Sequence, residues 1–592
     1  MMQQQIVTGA GEILFSGELD GWNLSSRTST EGGVTFLELR LDRPDPAMLP
    51  FFRLLWHTSA LDCQCRWTPL AGNNKLLPPN WGSRQSFQLA IGAPVMCFLN
   101  QAGVNRLTFA CSDALNVVQL GGGIEEKLGV LECSVECFRT PGAPASEYCC
   151  TLRIDSRPVR FEEALADVAS WWAAMPEYAP SPVPEPAREP MYSTWYSFHQ
   201  DLFDHEVEEQ CALAAKFDLK SVIVDDGWQT EDNHGGYAFC GDWEICRKRF
   251  PDMAAHVRRI HALGLKYLLW YSMPWAGFES AAYRKFAGKL LYRDERLNAA
   301  ALDPRFPEVR EYLIGIYERA LHEWDLDGFK LDFIDSFEFR PAGSEDPAIA
   351  ENYAGRDYKS LALAVDRLLT DTMNRLRAIK PEIMIEFRQR YTGPAMRKYG
   401  NMFRAADCPY DAVSNRIRTI DVRLLAGNTA VHADMLMWHR DESVEVAALQ
   451  FLNILFAVPQ ISVRLEVVPE SHRAMLRFYL GFWREYRDVL LDGTLRAEHP
   501  ELNYPVVSAR SGSRSVVAVY GAGSLVELDP APGEEVNLVD ATGCGRIVLS
   551  LARAPREAAA FTATGVPAEI PTPGAGCRLL TMPVSGVLRL RF

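Results

Sequence analysis

The stretch Asp327-Gly328-Phe329-Lys330-Leu331-Asp332-Phe333 sets a lysine and a carboxylate two residues apart at the end of an apolar, strand-like run. In a strand, residues i and i+2 share a face, so Lys330 and Asp332 are expected to project side by side while Leu331 and Phe333 point the other way. A nearby ammonium favours the ionised carboxylate, and an anionic carboxylate held beside a substrate is what nucleophilic attack on a sugar carbon requires. Taken alone, the same residues also describe a salt bridge at a strand end.

Other apolar runs end in polar groups in the same way. Val222-Ile223-Val224 leads into Asp225-Asp226-Gly227-Trp228, where adjacent carboxylates suit the hydroxyls of a sugar and the indole suits a ring face. A helix N-cap with an acidic first turn fits the same residues. Gly241-Asp242-Trp243 adds a carboxylate and an indole, or a packed turn, and Trp270-Tyr271-Ser272-Met273-Pro274-Trp275 supplies rings for site walls or core. In Glu386-Phe387-Arg388-Gln389-Arg390, alternation sends Glu386, Arg388 and Arg390 to one face. The two guanidinium groups suit a carboxylate, sulfate or phosphate, or else pair with local acids such as Glu386.

Arg404-Ala405-Ala406-Asp407 is followed by Cys408-Pro409-Tyr410-Asp411, and His432, Asp434 and His439 close the series. His and Asp are legitimate metal ligands, but no His-x-His or His-Glu-x-x-His stands elsewhere, and no metal is expected. Two carboxylates on different strands, one ionised beside a lysine and one able to carry a proton, are the minimum machinery for glycoside hydrolysis. Asp332 and Asp407 form the best such pair.

Positioning these groups takes a parallel sheet. From Gly11 to about Leu152 short β-rich segments separated by Gly, Pro, Asn and Asp read as a β-sandwich, with helical periodicity first at Phe161 to Trp172. Pro176, Pro180, Pro182, Pro184, Pro186 and Pro190 preclude a regular helix or central strand and read as a linker. Beyond them apolar strands alternate with amphipathic helices such as Asp204 to Phe217 and Pro307 to Trp324. The strand candidates are Met191 to Tyr196, Ser221 to Asp225, Leu265 to Trp270, Gly328 to Phe333, Ile383 to Phe387, Met402 to Ala406, Thr429 to Met435 and Gln460 to Arg464. Eight strands close a barrel, whose active site lies at their C-terminal ends. The expected class is α/β: a (β/α)8 TIM barrel at 191–485, preceded by an N-terminal β-sandwich at 1–175 and a Pro-rich linker at 176–190. A small C-terminal antiparallel β domain, also a sandwich, is expected at 486–592.

A length of 592 residues exceeds one ordinary domain, and 48% hydrophobic with 23% charged residues is the composition of a soluble globular protein. The net charge of -15 argues against a broad nucleic-acid or anionic-membrane surface. Met1-Met2-Gln3-Gln4-Gln5-Ile6 lacks a basic region followed by an apolar core, and a cytoplasmic protein is expected. The 14 cysteines follow no regular frame and read as free thiols.

In their order along the chain these segments resemble the α-galactosidase group of retaining glycosidases, in particular glycoside hydrolase family 36, with family 27 more distant. Asp225-Asp226-Gly227-Trp228 looks like the family's Asp-Asp-Gly-Trp segment, whose acids bind the sugar's distal hydroxyls. Gly241-Asp242-Trp243, Arg249-Phe250-Pro251-Asp252-Met253 and His261-Ala262-Leu263-Gly264-Leu265-Lys266 resemble its Gly-Asp-Trp, Phe-Pro and His-Ala-x-Gly-Met-Lys run. Lys330-Leu331-Asp332 matches the Lys-x-Asp that carries the nucleophile, and Ala406-Asp407 with Asp411-Ala412 is similar to the Ser-Asp-x-x-Asp-Ala segment of the acid/base. The resemblance implies Asp332 as nucleophile and Asp407 as acid/base, with a glycosyl-enzyme ester and net retention. The expected substrate-binding residues are Asp225, Asp226, Trp228, Trp243, Trp270, Lys330, Glu386, Arg388, Arg404 and Asp411. No cofactor is implied; the partner is a small oligosaccharide or glycoside, and self-association fits the family.

The chain departs from the pattern in five places, one of them an N-terminal β domain that looks short for the family. Ile334-Asp335 stands where an asparagine usually follows Lys-x-Asp, and Tyr271-Ser272-Met273-Pro274 replaces Phe-Glu-Pro-Glu. Glu386-Phe387-Arg388-Gln389-Arg390-Tyr391 replaces Ser-Cys-Ser-Gly-Gly, and one extra residue separates Asp407 from Asp411, which keeps Asp411 open as acid/base. The expected activity is that of a retaining exo-α-glycosidase releasing terminal α-galactose. The alternatives are a different or anionic sugar, transglycosylation, a non-catalytic sugar-binding protein, and metal-dependent lyase or isomerase chemistry at His432 and Asp434.

Overall fold

The computed structural model describes residues 2–139, 143–232, 234–338 and 354–592. Parallel strands β1 (Met191–Ser193), β2 (Ser221–Val224), β3 (Lys266–Ser272), β4 (Gly328–Asp332), β5 (Met384–Arg388), β6 (Met402–Arg404), β7 (Ala430–His432) and β8 (Gln460–Ile461) pair in chain order. β8 returns to pair with β1. Parallel bridges from His432 to Val458 and from Leu436 to Ile461 complete the ring. Each barrel strand expected from the sequence overlaps one of these eight, but several end sooner: the first stops at Ser193 and Tyr196 falls in the short helix Trp195–Phe198.

Local sequence explains the elements. β2 follows Ser221 with the β-branched run Val222-Ile223-Val224 and is buried along its whole length, as a strand covered on both faces requires. Helix α1 (Asp204–Lys216) buries Val207, Cys211 and Ala214, spaced to form one stripe. Helix α2 (Pro307–Trp324) opens with proline in its first turn and ends at Asp325 in the left-handed region. Gly328 opens β4 where a Cβ would lie 2.3 Å from the Met384 carbonyl oxygen, so β4 and β5 approach closely only with glycine there.

After β3 the chain makes a detour that simple alternation of strand and helix does not predict. Trp275–Gly277, Leu290–Asp294 and Ala299–Leu302 form a three-stranded antiparallel sheet. Its Ala-Ala-Ala-Leu strand is buried throughout and carries no apolar/polar alternation to reveal it.

The N-terminal residues form two six-stranded sheets around a core that includes Phe15, Trp56, Phe98 and Phe109. The C-terminal residues form sheets of seven and three strands. These are antiparallel apart from Arg514–Val519 beside Glu535–Asp540 and Leu525–Leu528 beside Arg546–Leu551. The proline-rich stretch is packed rather than loose, since it makes 3-10 turns at Pro176–Tyr178 and Glu185–Arg188 with Tyr178 and Ala187 buried. A buried pair, Lys75 Nζ to Asp421 Oδ2 at 3.0 Å, ties the N-terminal sheets to the barrel. Trp67 and Tyr504 both donate to Asp421 Oδ1, bringing the segment after the barrel into the same joint. All 14 cysteines are free thiols, and no helix among the described residues is long and apolar enough to cross a membrane.

Candidate active site

Asp332 ends β4 and is 7% exposed. Its Oδ1 accepts three hydrogen bonds, from Arg388 Nε, Tyr391 Oη and the Phe333 amide, each at 2.7 Å. The Phe333 amide also reaches Tyr391 Oη at 3.2 Å. Oδ2 accepts from Trp270 Nε1 at 3.2 Å. Burial pushes this carboxyl up, but Arg388 and Lys330, helped by the Tyr391 and Trp270 hydrogen bonds, outweigh it and hold Asp332 far below the usual carboxylate range. Asp332 is a fixed anion with one saturated oxygen and one lightly bonded oxygen.

Lys330 shares the strand face of Asp332, yet its Nζ donates to Asp225 Oδ2 at 2.6 Å. The expected side-by-side pair is therefore a through-space neighbour, and the hydrogen-bonded ion pair runs from β4 to the end of β2. Asp225 and Asp226 are each 2% exposed. Asp226 accepts from Gln200 Nε2 at 2.6 Å and Gln229 Nε2 at 2.7 Å, and burial pushes its pKa up to about 6. Gly227 makes this corner: it sits at φ +115, and a Cβ would come within 2.6 Å of the Gln200 carbonyl oxygen.

Beside this group lies a buried cluster centred on Arg404, at the end of β6. Its guanidinium donates to Asp407 Oδ1 at 2.8 Å and to Asp434 Oδ1, and its Nε lies 3.6 Å from Glu386 Oε1. Glu386 and Asp434 are fully buried, and burial pushes both carboxyls up. Asp434 also accepts from Tyr196 Oη at 2.8 Å and the Cys408 amide at 2.6 Å. Asp407 differs, because half of its side chain is exposed. The burial it does experience pushes its pKa up, but Arg404 and Lys330 outweigh that and hold it below the usual range.

Several expected site residues take other places. Asp411 is the N-cap of helix α3 (Ala412–Ala426); its Oδ1 accepts from the Ser414 amide at 2.9 Å and its Oδ2 from Ser414 Oγ at 2.5 Å. Trp228 and Trp243 are buried core, stacked at 6.0 Å, because the turn at Gly227 sends the Trp228 indole back to donate to the Trp270 carbonyl at 2.9 Å. Neither presents a face to a sugar. Asp242 accepts from the Ala281 and Ala282 amides at 2.8 Å, a packed turn. Arg388 pairs with Asp332, not Glu386, and Arg390 Nε reaches Asp335 Oδ2 at 3.2 Å. His432 turns away from Asp434, its Nε2 2.7 Å from the Ala187 carbonyl oxygen, and burial lowers it to about 4. Among the described residues no three His, Cys, Asp or Glu side chains gather to hold a metal ion.

Tyr391, Gln200, Gln229 and Tyr196 hold the carboxylates, and sequence reasoning missed them as site residues. Tyr196 and Tyr391 lie three residues past a strand end, Gln229 five and Gln200 seven, beyond the short helix Trp195–Phe198, and this placement is the only sequence signal they carry.

The Melibiase family model matches residues 185–385. "Alpha-galactosidase Mel36A" of Lactobacillus acidophilus is 28% identical over 151 residues, 24% of this chain and 19% of that protein. "A type blood alpha-D-galactosamine galactosaminidase" of Flavonifractor plautii is 25% identical over 177 residues, 26% of this chain and 15% of that protein. The chain thus matches about a fifth of the length of these curated relatives. The fold likeness is wider. The α-galactosidase of Lactobacillus brevis superposes with a TM-score of 0.66 at 14% identity, over 99% of this chain and 82% of that one. A variant of the Geobacillus stearothermophilus α-galactosidase AgaA, solved with raffinose, gives 0.64 at 15% identity, over 98% and 83%.

Proposed function

We propose, from the premise that this chain belongs through its barrel to the melibiase family, glycoside hydrolase family 36, that it is a retaining exo-α-glycosidase hydrolysing terminal α-galactosides. The observation that carries this reading is the Asp332 carboxylate, buried, anionic and tied down by three donors on Oδ1, with Oδ2 held by Trp270. In the first step Asp332 attacks the anomeric carbon as Asp407 gives its proton to the leaving oxygen. Water, deprotonated by Asp407, then displaces the ester with net retention. Asp225 and Asp226 accept the sugar's hydroxyls, oriented by Lys330, Gln200 and Gln229.

Asp407 and Asp411 are both exposed, and Asp407 is assigned the acid/base role because both oxygens of Asp411 are occupied in a helix cap, whereas Arg404 binds Asp407 through Oδ1. Arg388 and Arg390 already have carboxylate partners in Asp332 and Asp335, so no anionic sugar is needed to balance their charge, although half of the Arg390 side chain is exposed. The raffinose-bound relative supports a small oligosaccharide as substrate. Free thiols fit a cytoplasmic enzyme, and self-association rests on the family resemblance.

The test is hydrolysis of p-nitrophenyl α-galactoside, α-glucoside, α-N-acetylgalactosaminide and an α-uronide by the wild type and Asp332→Ala. Galactoside turnover that vanishes in the variant is expected. Turnover by Asp332→Ala at the wild-type rate would overturn the nucleophile, and activity confined to another sugar would overturn the galactoside assignment while keeping the chemistry.

A further inference from the structure

Arg388 stands out on the β5 face because it commits its Nε to the carboxylate that the proposed reaction uses. It lies over the rings of Phe333 and Tyr391, at 5.4 and 5.5 Å, and its Nη1 donates to the carbonyl oxygen of the next residue, Gln389, at 3.3 Å. These contacts fix the guanidinium in one place. With Tyr391 Oη and the Phe333 amide it occupies Oδ1 of Asp332, and among the described residues Oδ2 accepts from Trp270 alone.

Resting on the retaining mechanism above, we infer that Arg388 is a positioning residue that directs attack through Asp332 Oδ2 and speeds release of the sugar from the covalent intermediate. The balance of each step shows why. In glycosylation an electron pair on Oδ2 forms the bond to the anomeric carbon, the bond from that carbon to the leaving oxygen breaks, and Asp407 supplies the proton the leaving oxygen takes up. The negative charge of Asp332 is consumed, so donors that favour the anion oppose this step. In deglycosylation a water oxygen bonds to the anomeric carbon, its proton passes to Asp407, and the carbon–Oδ2 bond breaks with its electron pair returning to Asp332. The charge is regenerated beside Arg388, and the same donors now lower the barrier. The wild type is thereby set to accumulate no ester, with glycosylation as the slow step.

The test follows rapid release of p-nitrophenol from the α-galactoside by the wild type and Arg388→Gln, with intact-mass measurement of the quenched protein. The wild type should release product linearly with no adduct. Arg388→Gln should show a burst approaching one equivalent, a glycosyl adduct on Asp332, and deglycosylation slowed about ten- to a hundredfold, the size of one hydrogen bond to a charged group. Arg388→Lys, which restores the charge, should recover part of that loss. Tyr391→Phe removes a neutral donor from the same oxygen and should shift the balance the same way by a smaller factor, which keeps the test open should Arg388→Gln fold poorly. A raised KM with no burst and no adduct in any of the three variants would overturn the inference and leave Arg388 a substrate-binding residue. A wild type that neither turns over any α-glycoside nor is labelled on Asp332 by a 2-fluoro glycosyl fluoride would instead overturn the parent reading.

Discussion

Lys330 Nζ lies 2.6 Å from Asp225 Oδ2, joining β4 to the end of β2, while Asp332, two residues along the same strand, takes Arg388 as its partner. Both members of the Lys330–Asp225 pair are nearly inaccessible to water. Burial disfavours the ammonium, and Asp225 outweighs that, so the lysine stays charged. Two ion pairs therefore lie side by side, one at the proposed sugar pocket and one on the proposed nucleophile.

Removing one partner of such a pair leaves the other buried and uncompensated. Lys330→Met should cost about 3–5 kcal/mol of unfolding free energy in urea titration. Lys330→Met combined with Asp225→Leu should cost less than the single lysine change, since no charge is stranded. A double variant less stable than Lys330→Met would contradict the pairing.

The pH dependence follows from two carboxyls displaced in opposite directions. In the proposed reaction Asp407 must be protonated to act as acid, and Arg404 holds it below the usual carboxylate range, so that form is already being lost as pH rises through that low region. Asp226 must be ionised to accept sugar hydroxyls, and its active form is gained as pH rises through about 6. For a glycoside with a poor leaving group, kcat/KM should rise at low pH, stay level from the Asp407 titration up to about pH 6, and fall tenfold per unit above. For an aryl glycoside that needs no acid, it should rise to about pH 6 and then stay flat. A decline above this point that is equally steep for both substrates would remove Asp407 from the acid role.

Asp411 and Asp407 separate by a simple comparison. Asp411→Ala removes an N-cap and should cost about 0.5–2 kcal/mol while leaving the leaving-group dependence of turnover intact. Asp407→Ala should fold, lose unactivated substrates, retain aryl glycosides, and yield a glycosyl azide of retained configuration when azide is added. Azide rescue in Asp411→Ala would reverse the assignment.

The barrel was legible because its strands are short buried runs separated by helix-period segments, the pattern that a parallel sheet covered by helices imposes on a chain. The polar strand ends were legible for the same reason, since a carboxylate closing an apolar run has nowhere to go but the barrel mouth. The choice of partner was not legible. Lys330 and Asp225 are 105 residues apart, and so nothing local favours that pairing over Asp332. Residue type alone puts Trp228 and Trp243 in the site, yet the turn at Gly227 reverses the direction of the first indole and both stack in the core. A single left-handed glycine outweighs strand alternation there.

Asp226 links the site to stability. Its folded pKa of about 6 exceeds the unfolded carboxylate value, so its contribution is fully present below about pH 4 and is lost as pH rises through 6. Carried into stability, this difference is worth about 3 kcal/mol as an upper bound. Asp226→Asn abolishes the titration, and the unpartnered Gln200 Oε1 can accept from the new amide once that side chain turns over. The variant should therefore be more stable than the wild type at pH 7 and lose the part of the stability decline that lies between about pH 4 and 6, as read by urea denaturation at a series of pH values. It should also lose the rise of kcat/KM toward pH 6. Equal pH dependence of stability in the two proteins would show that Asp226 is already ionised at about pH 4 and that the two glutamine donors outweigh its burial.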